Sequence, residues 1–168
     1  MTDDNGDQFE VRPLERQDVA AWCALIEALA HYEHLPSPDP AARERLARDV
    51  LGTPPRFWVL LGEIGGRLVG YAVFFETYST FLALPTLYLE DIFVLPEARG
   101  KGVGRALLQA CAEEAVRRGC GRMEWQVLAW NDLALGFYQH LGAVPLHEEW
   151  QLYRLEGDAL EKVARFGG

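Results

Sequence analysis

Residues 97–108 read EARGKGVGRALL and combine an arginine with three glycines that alternate with other residues. Helical spacing of apolar residues begins directly after them, so the glycines lead into a helix N-terminus, where backbone N–H groups lack intrahelical partners. Glycines let a ligand approach those groups without meeting a Cβ atom. The stretch therefore predicts a loop that binds a phosphate or pyrophosphate group.

The spacing of these glycines excludes two familiar phosphate loops. The sequence contains no GxxxxGK[ST], so the loop is not a P-loop, and Arg105 stands where the dinucleotide motif GxGxxG requires its third glycine. A plain strand-to-helix turn would need only one glycine. An anion site of another type is therefore favoured.

Two carboxylates, Glu90 and Asp91, stand in the apolar stretch YLEDIFV just before this loop. A carboxylate in a buried strand is costly unless it has a partner or a function. Neighbouring residues of a strand point to opposite faces, so both can face one pocket only if a β-bulge intervenes. Each is a candidate for binding or deprotonating a cation, and a structural ion pair is the alternative for each.

Periodicity predicts the elements that position these residues. Helices are predicted over 17–33, 40–51, 103–118, 131–140 and 158–166, and strands over 9–13, 56–63, 67–75, 87–94, 123–129 and 150–155. Gly119 and Gly142 are the predicted C-terminal stops of the third and fourth helices. Gly65-Gly66 marks a hairpin, and a loop of about ten residues precedes the strand at 87. Hairpins mixed with helix-linked strands predict an α/β fold with a central mixed sheet flanked by helices.

Length and composition indicate one domain over 8–168, preceded by a disordered acidic tail over 1–7. The net charge of −9 argues against a nucleic-acid partner. No apolar run is long enough for a membrane span, and the N-terminus is not a signal peptide. The three cysteines and four scattered histidines have no metal-ligand spacing, so no metal is expected. A reducing cytoplasm is the simplest location.

The loop sequence Arg99-Gly100-Lys101-Gly102-Val103-Gly104 resembles R/Q-x-x-G-x-G/A, the acetyl-CoA pyrophosphate motif of the GNAT superfamily of N-acetyltransferases. The similarity covers roughly residues 9–166. Further stretches resemble, in the same order, the diamine branch of that superfamily, the spermidine/spermine and thialysine acetyltransferases. They are AHYE at 30–33, YLEDIFV at 88–94, Trp130-Asn131, Phe137-Tyr138 and Glu148-Glu149-Trp150.

This resemblance implies that acetyl-CoA is the cofactor. Backbone groups of β-strand residues 92–94 are expected to pair with the pantetheine arm, and an N–H group there to stabilise the oxyanion. The expected cofactor contacts are Ile92, Phe93, Val94, Arg99, Gly100, Lys101, Gly102, Val103, Gly104, Arg105, Asn131 and Tyr138. A helix N-cap role explains Asn131 nearly as well.

The resemblance also implies catalytic and substrate residues. Tyr138 is expected to protonate the departing thiolate, although a core aromatic role is its alternative. Glu90 is expected to attract the ammonium group and to accept its proton, through water. The bulge known in this strand of the family would let Glu90 and Asp91 share a pocket. The expected substrate contacts are Tyr32, Glu33, Phe81, Glu90, Asp91 and Trp125.

The expected function is acetyl-CoA-dependent N-acetylation of a small primary amine (a diamine, a polyamine or a lysine analogue) by direct attack in a ternary complex. The stretch TYSTFL at 77–82 lacks the aspartate and tryptophan of the polyamine enzymes and is nearer to thialysine-type sequences. The alternatives are a protein or peptide acceptor, a non-catalytic acyl-CoA-binding regulatory module, and an unrelated nucleotide-phosphate binder. A homodimer that pairs through Trp150–Leu155 is expected from the resemblance.

Overall fold

A computed structural model of the chain describes residues 9–146 and 152–165. The described residues form two compact units that divide between Gln126 and Val127. One domain over 8–168 stays a prediction, and the expected tail over 1–7 lies outside the described residues. Within the described ranges, no helix is long and apolar enough to cross a membrane, and no three His, Cys, Asp or Glu side chains cluster as metal ligands would.

The first unit is built on a five-stranded sheet. Its strands are β1 (Phe9–Pro13), β2 (Trp58–Ile64), β3 (Arg67–Ser79), β4 (Leu84–Val94) and β5 (Arg122–Trp125). They lie side by side in chain order, and all neighbours are antiparallel except β4 and β5, which are parallel. The parallel pair needs a crossover, which a helix supplies. The predicted mixed sheet is confirmed.

One face of this sheet is covered by α1 (Val19–Tyr32), with α2 (Pro40–Val50) beside it. Trp22 and Leu25 of α1 are buried against Leu61, Tyr71 and Phe93 of the three central strands. The buried positions of α1 recur at helical spacing, so one side of the helix enters the core. This face forms the main hydrophobic core of the unit.

The opposite face is covered by α3 (Val103–Arg117), and two strand glycines allow its close approach. A Cβ atom at Gly62 would lie 2.6 Å from a methyl group of Val103, and one at Gly70 would lie 2.7 Å from the Phe93 carbonyl oxygen. Both distances are too short for a real side chain, so only glycine fits at these two positions. Helices therefore flank both faces, as predicted.

The hairpin between β3 and β4 differs from the prediction of a loop before residue 87. Both strands continue until Ser79 pairs with Leu84, and only residues 80–83 form the turn. The Ser79 hydroxyl accepts a hydrogen bond from the Leu82 N–H at 3.3 Å. Residues 76–78 are all exposed, so they lack the alternation that marks a strand in sequence. Backbone pairing alone extends the strand there.

Two strand predictions near the C-terminus need correction. The strand predicted over 123–129 ends at Trp125, because its pairing with β4 stops at Leu89. The strand predicted over 150–155 is absent from its described part, since residues 152–156 are neither helix nor strand. Trp150 lies outside the described residues.

The second unit contains α4 (Asp132–His140) and α5 (Gly157–Ala164). Asn131 caps α4, because its side-chain oxygen accepts the Ala134 N–H at 3.2 Å. Gly142, with a φ angle of 80°, follows the helix as its predicted stop. Both short helices were predicted within a few residues of their observed bounds.

Candidate active site

Strand β4 carries a β-bulge at Glu90. In the register with β3, Val73 pairs with Asp91. The next residue, Phe74, pairs with Leu89, which leaves Glu90 without a partner in β3. Adjacent strand residues face opposite sides, so Asp91 faces α1 with Val73 and Leu89 faces α3. The bulge expected from the family resemblance is confirmed.

Three carboxylates, Glu33, Glu90 and Asp91, form an acidic cluster where α1 ends. Asp91 is half-buried, and burial, followed by the charges of Glu90 and Glu33, raises its pKa to about 6. Burial also raises the pKa of Glu33, whereas Glu90 is exposed. The C-terminal end of α1 adds the negative end of the helix dipole. The local charge therefore favours a cation.

Tyr71 of β3 lies in the core beside this acidic cluster. It is fully buried, and burial, followed by the charges of Asp91 and Glu33, raises the pKa of its phenol. Its hydroxyl has no hydrogen-bond partner among the described residues. The sequence analysis did not single out Tyr71, and the only signal for it was a phenol within the apolar stretch LVGYAVFF.

The glycine loop presents an open helix N-terminus. Gly100 and Gly102 have φ angles of 77° and 85°, which residues with a side chain rarely adopt. The first bond of α3 runs from the Ala106 N–H to the Gly102 carbonyl at 3.0 Å, so the three N–H groups between them have no acceptor within the helix. Lys101 is half-buried and Arg105 is exposed. The arrangement suits an anion such as a pyrophosphate.

Beyond the bulge, β4 has an edge that no strand of the described residues covers on the β5 side. The Leu95 N–H donates to the Val69 carbonyl at 2.8 Å. Because hydrogen-bonded pairs alternate along an antiparallel ladder, Phe93 bonds to β3, while the backbone groups of Ile92 and Val94 point to the open edge. Of these groups, the Val94 carbonyl already accepts the Arg99 Nε at 3.1 Å. An extended ligand with amide groups can pair there like an added strand.

Arg99 precedes the glycines, but its side chain turns toward α1. Its Nε donates to the Val94 carbonyl oxygen at 3.1 Å. Its guanidinium carbon lies 4.8 Å from the centre of the Tyr32 ring and 5.9 Å from the centre of the Phe93 ring. The side chain therefore joins the glycine loop to the end of α1, next to Glu33.

Tyr138 lies on α4 in the second unit. It is buried, its ring centre is 5.4 Å from that of Phe137, and burial raises its pKa to about 12. A phenol with this pKa keeps its proton far above neutral pH, as a general acid must before it donates. Asn131, in the same unit, uses its side-chain oxygen to cap the helix.

Two predicted substrate residues lie away from the acidic cluster. Phe81 is 98% exposed at the tip of the β3–β4 hairpin. The turn of this hairpin follows Ser79, which is six residues, or about 20 Å of extended strand, beyond Val73, the partner of Asp91. Trp125 pairs with Leu89, so it faces α3, whereas Asp91 faces α1. Substrate contacts of Phe81 and Trp125 stay predictions.

Comparison with known proteins places the chain in a family. The family model described as the acetyltransferase (GNAT) family matches residues 21–143. The chain is a GNAT acetyltransferase. It is therefore an enzyme that transfers an acetyl group from acetyl-CoA to an amine, and the expected resemblance, enzyme class and cofactor are confirmed. The family match excludes the two alternatives of a non-catalytic acyl-CoA-binding module and an unrelated nucleotide-phosphate binder.

Two relatives and one solved structure are similar to this acetyltransferase over different shares of its length. Thialysine N-ε-acetyltransferase of Bos taurus is 35% identical over 164 residues, which are 92% of this chain and 96% of that protein. L-ornithine N5-acetyltransferase of Arabidopsis thaliana is 46% identical over 96 residues, which are 57% of this chain and 42% of that protein. An aminoglycoside N-acetyltransferase solved in complex with CoA has a TM-score of 0.73 and 22% identity, and covers 90% of this chain and 97% of its own.

Proposed function

We propose that this acetyltransferase acts on the side-chain or terminal primary amine of a small cationic acceptor, such as a diamine, a polyamine or a lysine analogue. The observation that carries the proposal is the acidic cluster of Glu33, Glu90 and Asp91. Asp91 is influenced there by the negative charges of Glu90 and Glu33. Two relatives, named for thialysine and ornithine, support an acceptor of this kind.

The acceptor presents a protonation problem that the acidic cluster addresses. An alkyl ammonium has a pKa near 10.4, so about one molecule in 2,500 is neutral at pH 7. Deprotonation therefore adds roughly 4.6 kcal/mol to the activation free energy. Glu90, exposed on the bulge, attracts the ammonium and is the predicted proton acceptor through water. Asp91 competes for that role, because its pKa of about 6 makes it a stronger base than an ordinary carboxylate.

The glycine loop and the open β4 edge are suited to hold the second substrate. Acetyl-CoA, when bound, supplies the activated acetyl group as a thioester. The N–H groups that begin α3 bind its pyrophosphate, and the backbone of Ile92 and Val94 aligns its extended arm. An N–H group of the same edge stabilises the negative charge that develops on the carbonyl oxygen.

Tyr138 completes the proposed reaction as the general acid. The neutral acceptor nitrogen forms a bond to the carbonyl carbon and the C–S bond breaks. The Tyr138 hydroxyl gives its proton to the departing sulfur, and the nitrogen releases its surplus proton to water. The phenolate then regains a proton from solvent. No acyl-cysteine is part of the route, because burial raises the pKa of the Cys111 thiol to about 12 and keeps it unreactive.

The proposal is tested by measuring kcat/KM over a panel of acceptors. The panel contains thialysine, lysine, ornithine, putrescine, spermidine, spermine and a lysine-containing peptide. Norvaline is the matched control for ornithine, since it keeps the α-amine and lacks the side-chain amine. We expect a small diamine or diamino acid to have the highest kcat/KM and norvaline to be inactive. A peptide that exceeds every small amine would contradict the proposal.

A homodimer belongs to the same proposal and rests on the family resemblance. The predicted contact over 150–155 lies partly outside the described residues, and residues 152–155 form no strand. Light scattering on the purified protein decides between the chain mass and twice that mass. A monomer at micromolar concentration would contradict the expected dimer.

A further inference from the structure

Arg99 precedes the glycines of the pyrophosphate loop in sequence, but its side chain lies on the face of the sheet that α1 covers. Its guanidinium stacks on Tyr32 and lies near Phe93, and Phe93 is part of the core beneath α1. The glycines that follow Arg99 lead into α3, which packs on the other face. The arginine side chain therefore reaches the end of α1, while the N–H groups of its own loop face the anion site.

Tyr32, the aromatic partner of Arg99, lies at the end of α1 next to the acidic cluster. Tyr32 is the last residue of α1, and Glu33 caps the helix with its N–H donating to the Leu29 carbonyl at 2.9 Å. The next residue, His34, has a φ angle of 58°, so the chain turns sharply there. The Tyr32 ring therefore lies at the end of α1, one residue before Glu33 of the acidic cluster.

We propose that Arg99 is a positioning residue for the amine acceptor: its guanidinium holds the ring of Tyr32, an expected substrate contact, at the end of α1 beside the acidic cluster. The inference rests on the proposed function and assigns Arg99 to the amine side of the reaction. Because the Arg99 Nε is also anchored on the Val94 carbonyl, the same side chain ties the acceptor subsite to the β4 edge. Arg99 touches neither reacting atom.

The chemistry of the contact requires an arginine. The planar guanidinium can lie over an aromatic face while its Nε donates to a carbonyl, a geometry that the compact lysine ammonium reproduces only in part. The charges that act on Asp91 are those of Glu90 and Glu33, so the acceptor is attracted by carboxylates and Arg99 is assigned the placement of Tyr32. Its role is therefore geometric.

The test compares Arg99→Gln, Arg99→Lys, Tyr32→Leu and the double variant Arg99→Gln/Tyr32→Leu. For each protein, the KM for the best amine, kcat at saturation and the Kd for CoA by calorimetry are measured. Arg67→Gln is the matched control, since Arg67 forms an exposed ion pair with Glu97 at 3.0 Å. Calorimetric CoA binding also shows that each variant is folded.

We expect Arg99→Gln and Tyr32→Leu each to raise the amine KM roughly 3- to 30-fold, the range that a lost cation–π contact allows. The double variant should be no worse than the poorer single variant, kcat and CoA affinity should change less than about threefold, and Arg99→Lys should restore part of the KM. Arg67→Gln should match the wild type in all three quantities.

Two outcomes would overturn the inference while leaving the proposed function intact. One is a loss of CoA affinity in Arg99→Gln with an unchanged amine KM, which would make Arg99 a pyrophosphate ligand. The other is a double variant whose KM is the product of the two single effects, because independent residues do not share a contact. A wild-type protein that acetylates no small amine would overturn the proposed function, and this inference with it.

Discussion

Asp91 and Leu89 are two residues apart in β4, yet they face opposite sides of the sheet. In a regular strand they would share a face, and Asp91 would point with Leu89 toward α3. The bulge at Glu90 reverses this and turns Asp91 toward the end of α1. The pairing with β5 also stops at Leu89, where the bulge begins. The one extra residue of the bulge thus lies where Asp91 joins the acidic cluster and where the open edge of β4 begins.

The raised pKa of Asp91 predicts a stability that depends on pH. Its pKa in the fold is about 6, above the ordinary 3.8, so ionising Asp91 costs the folded state more than the unfolded chain. The fold therefore loses stability as pH rises from about 4 through 6. We expect Asp91→Asn to exceed the wild type by roughly 1 to 3 kcal/mol at pH 8 and to match it near pH 3.5. Urea unfolding at both pH values measures the difference.

A destabilised Asp91→Asn at pH 8 would show that Asp91 has a cationic partner or a structural hydrogen bond.

The proton acceptor can be identified from the pH dependence of kcat/KM. If Asp91 accepts the proton, activity should rise with pH through an apparent pKa near 6, and that limb should vanish in Asp91→Asn and persist in Glu90→Gln. If Glu90 is the acceptor, as the family resemblance predicts, Glu90→Gln should lose activity and Asp91→Asn should largely keep it. Removal of the residue that accepts the proton should lower kcat/KM by about 10²-fold or more at pH 7.5. A profile that neither variant changes would remove both residues from proton transfer.

The glycine loop predicts a CoA-specific effect of Gly102→Val. A valine there is strained by the φ angle of 85°, and its Cβ atom would lie 3.6 Å from the Phe9 ring. The loop that presents the N–H groups must therefore shift, and we expect the Kd for CoA to rise at least about tenfold. Gly119→Val is the matched control, because Gly119 has a φ angle of 69° at the other end of α3. Both variants should lose a similar amount of stability, about 1 to 2 kcal/mol. Equal CoA affinity in the two variants would refute the pyrophosphate role of the loop.

The proposed general acid predicts a defect in turnover alone. Tyr138→Phe should lower kcat by about 10²–10⁴-fold while the Kd for CoA changes little, because the hydroxyl acts only as the C–S bond breaks. Tyr153→Phe, at a residue that is 85% exposed, is the control and should keep full activity. A Tyr138→Phe enzyme with full turnover would return Tyr138 to the role of a core aromatic. The rates are measured by release of the CoA thiol.

Most elements of the fold and part of the candidate site could be predicted from local sequence signals. Helices α1 to α4 were predicted from apolar spacing and from stop or cap residues such as Gly119, Asn131 and Gly142, since those signals act within a few residues. The hairpin at Gly65-Gly66 was predicted for the same reason, and both glycines have positive φ angles. The long β3–β4 hairpin was missed, because exposed paired strands carry no periodic pattern.

The sequence by itself determined the chemistry of this protein: the glycine loop, the carboxylates at 90 and 91 and the motifs around them identify an acetyl-CoA-dependent acetyltransferase. The tertiary structure decided which groups meet. The half-burial of Asp91, the hydroxyl of Tyr71 beside it and the stacking of Arg99 on Tyr32 all depend on contacts between distant segments. The spacing of residues along the chain cannot encode such contacts, because they arise only when α1, β3, β4 and the loop pack together.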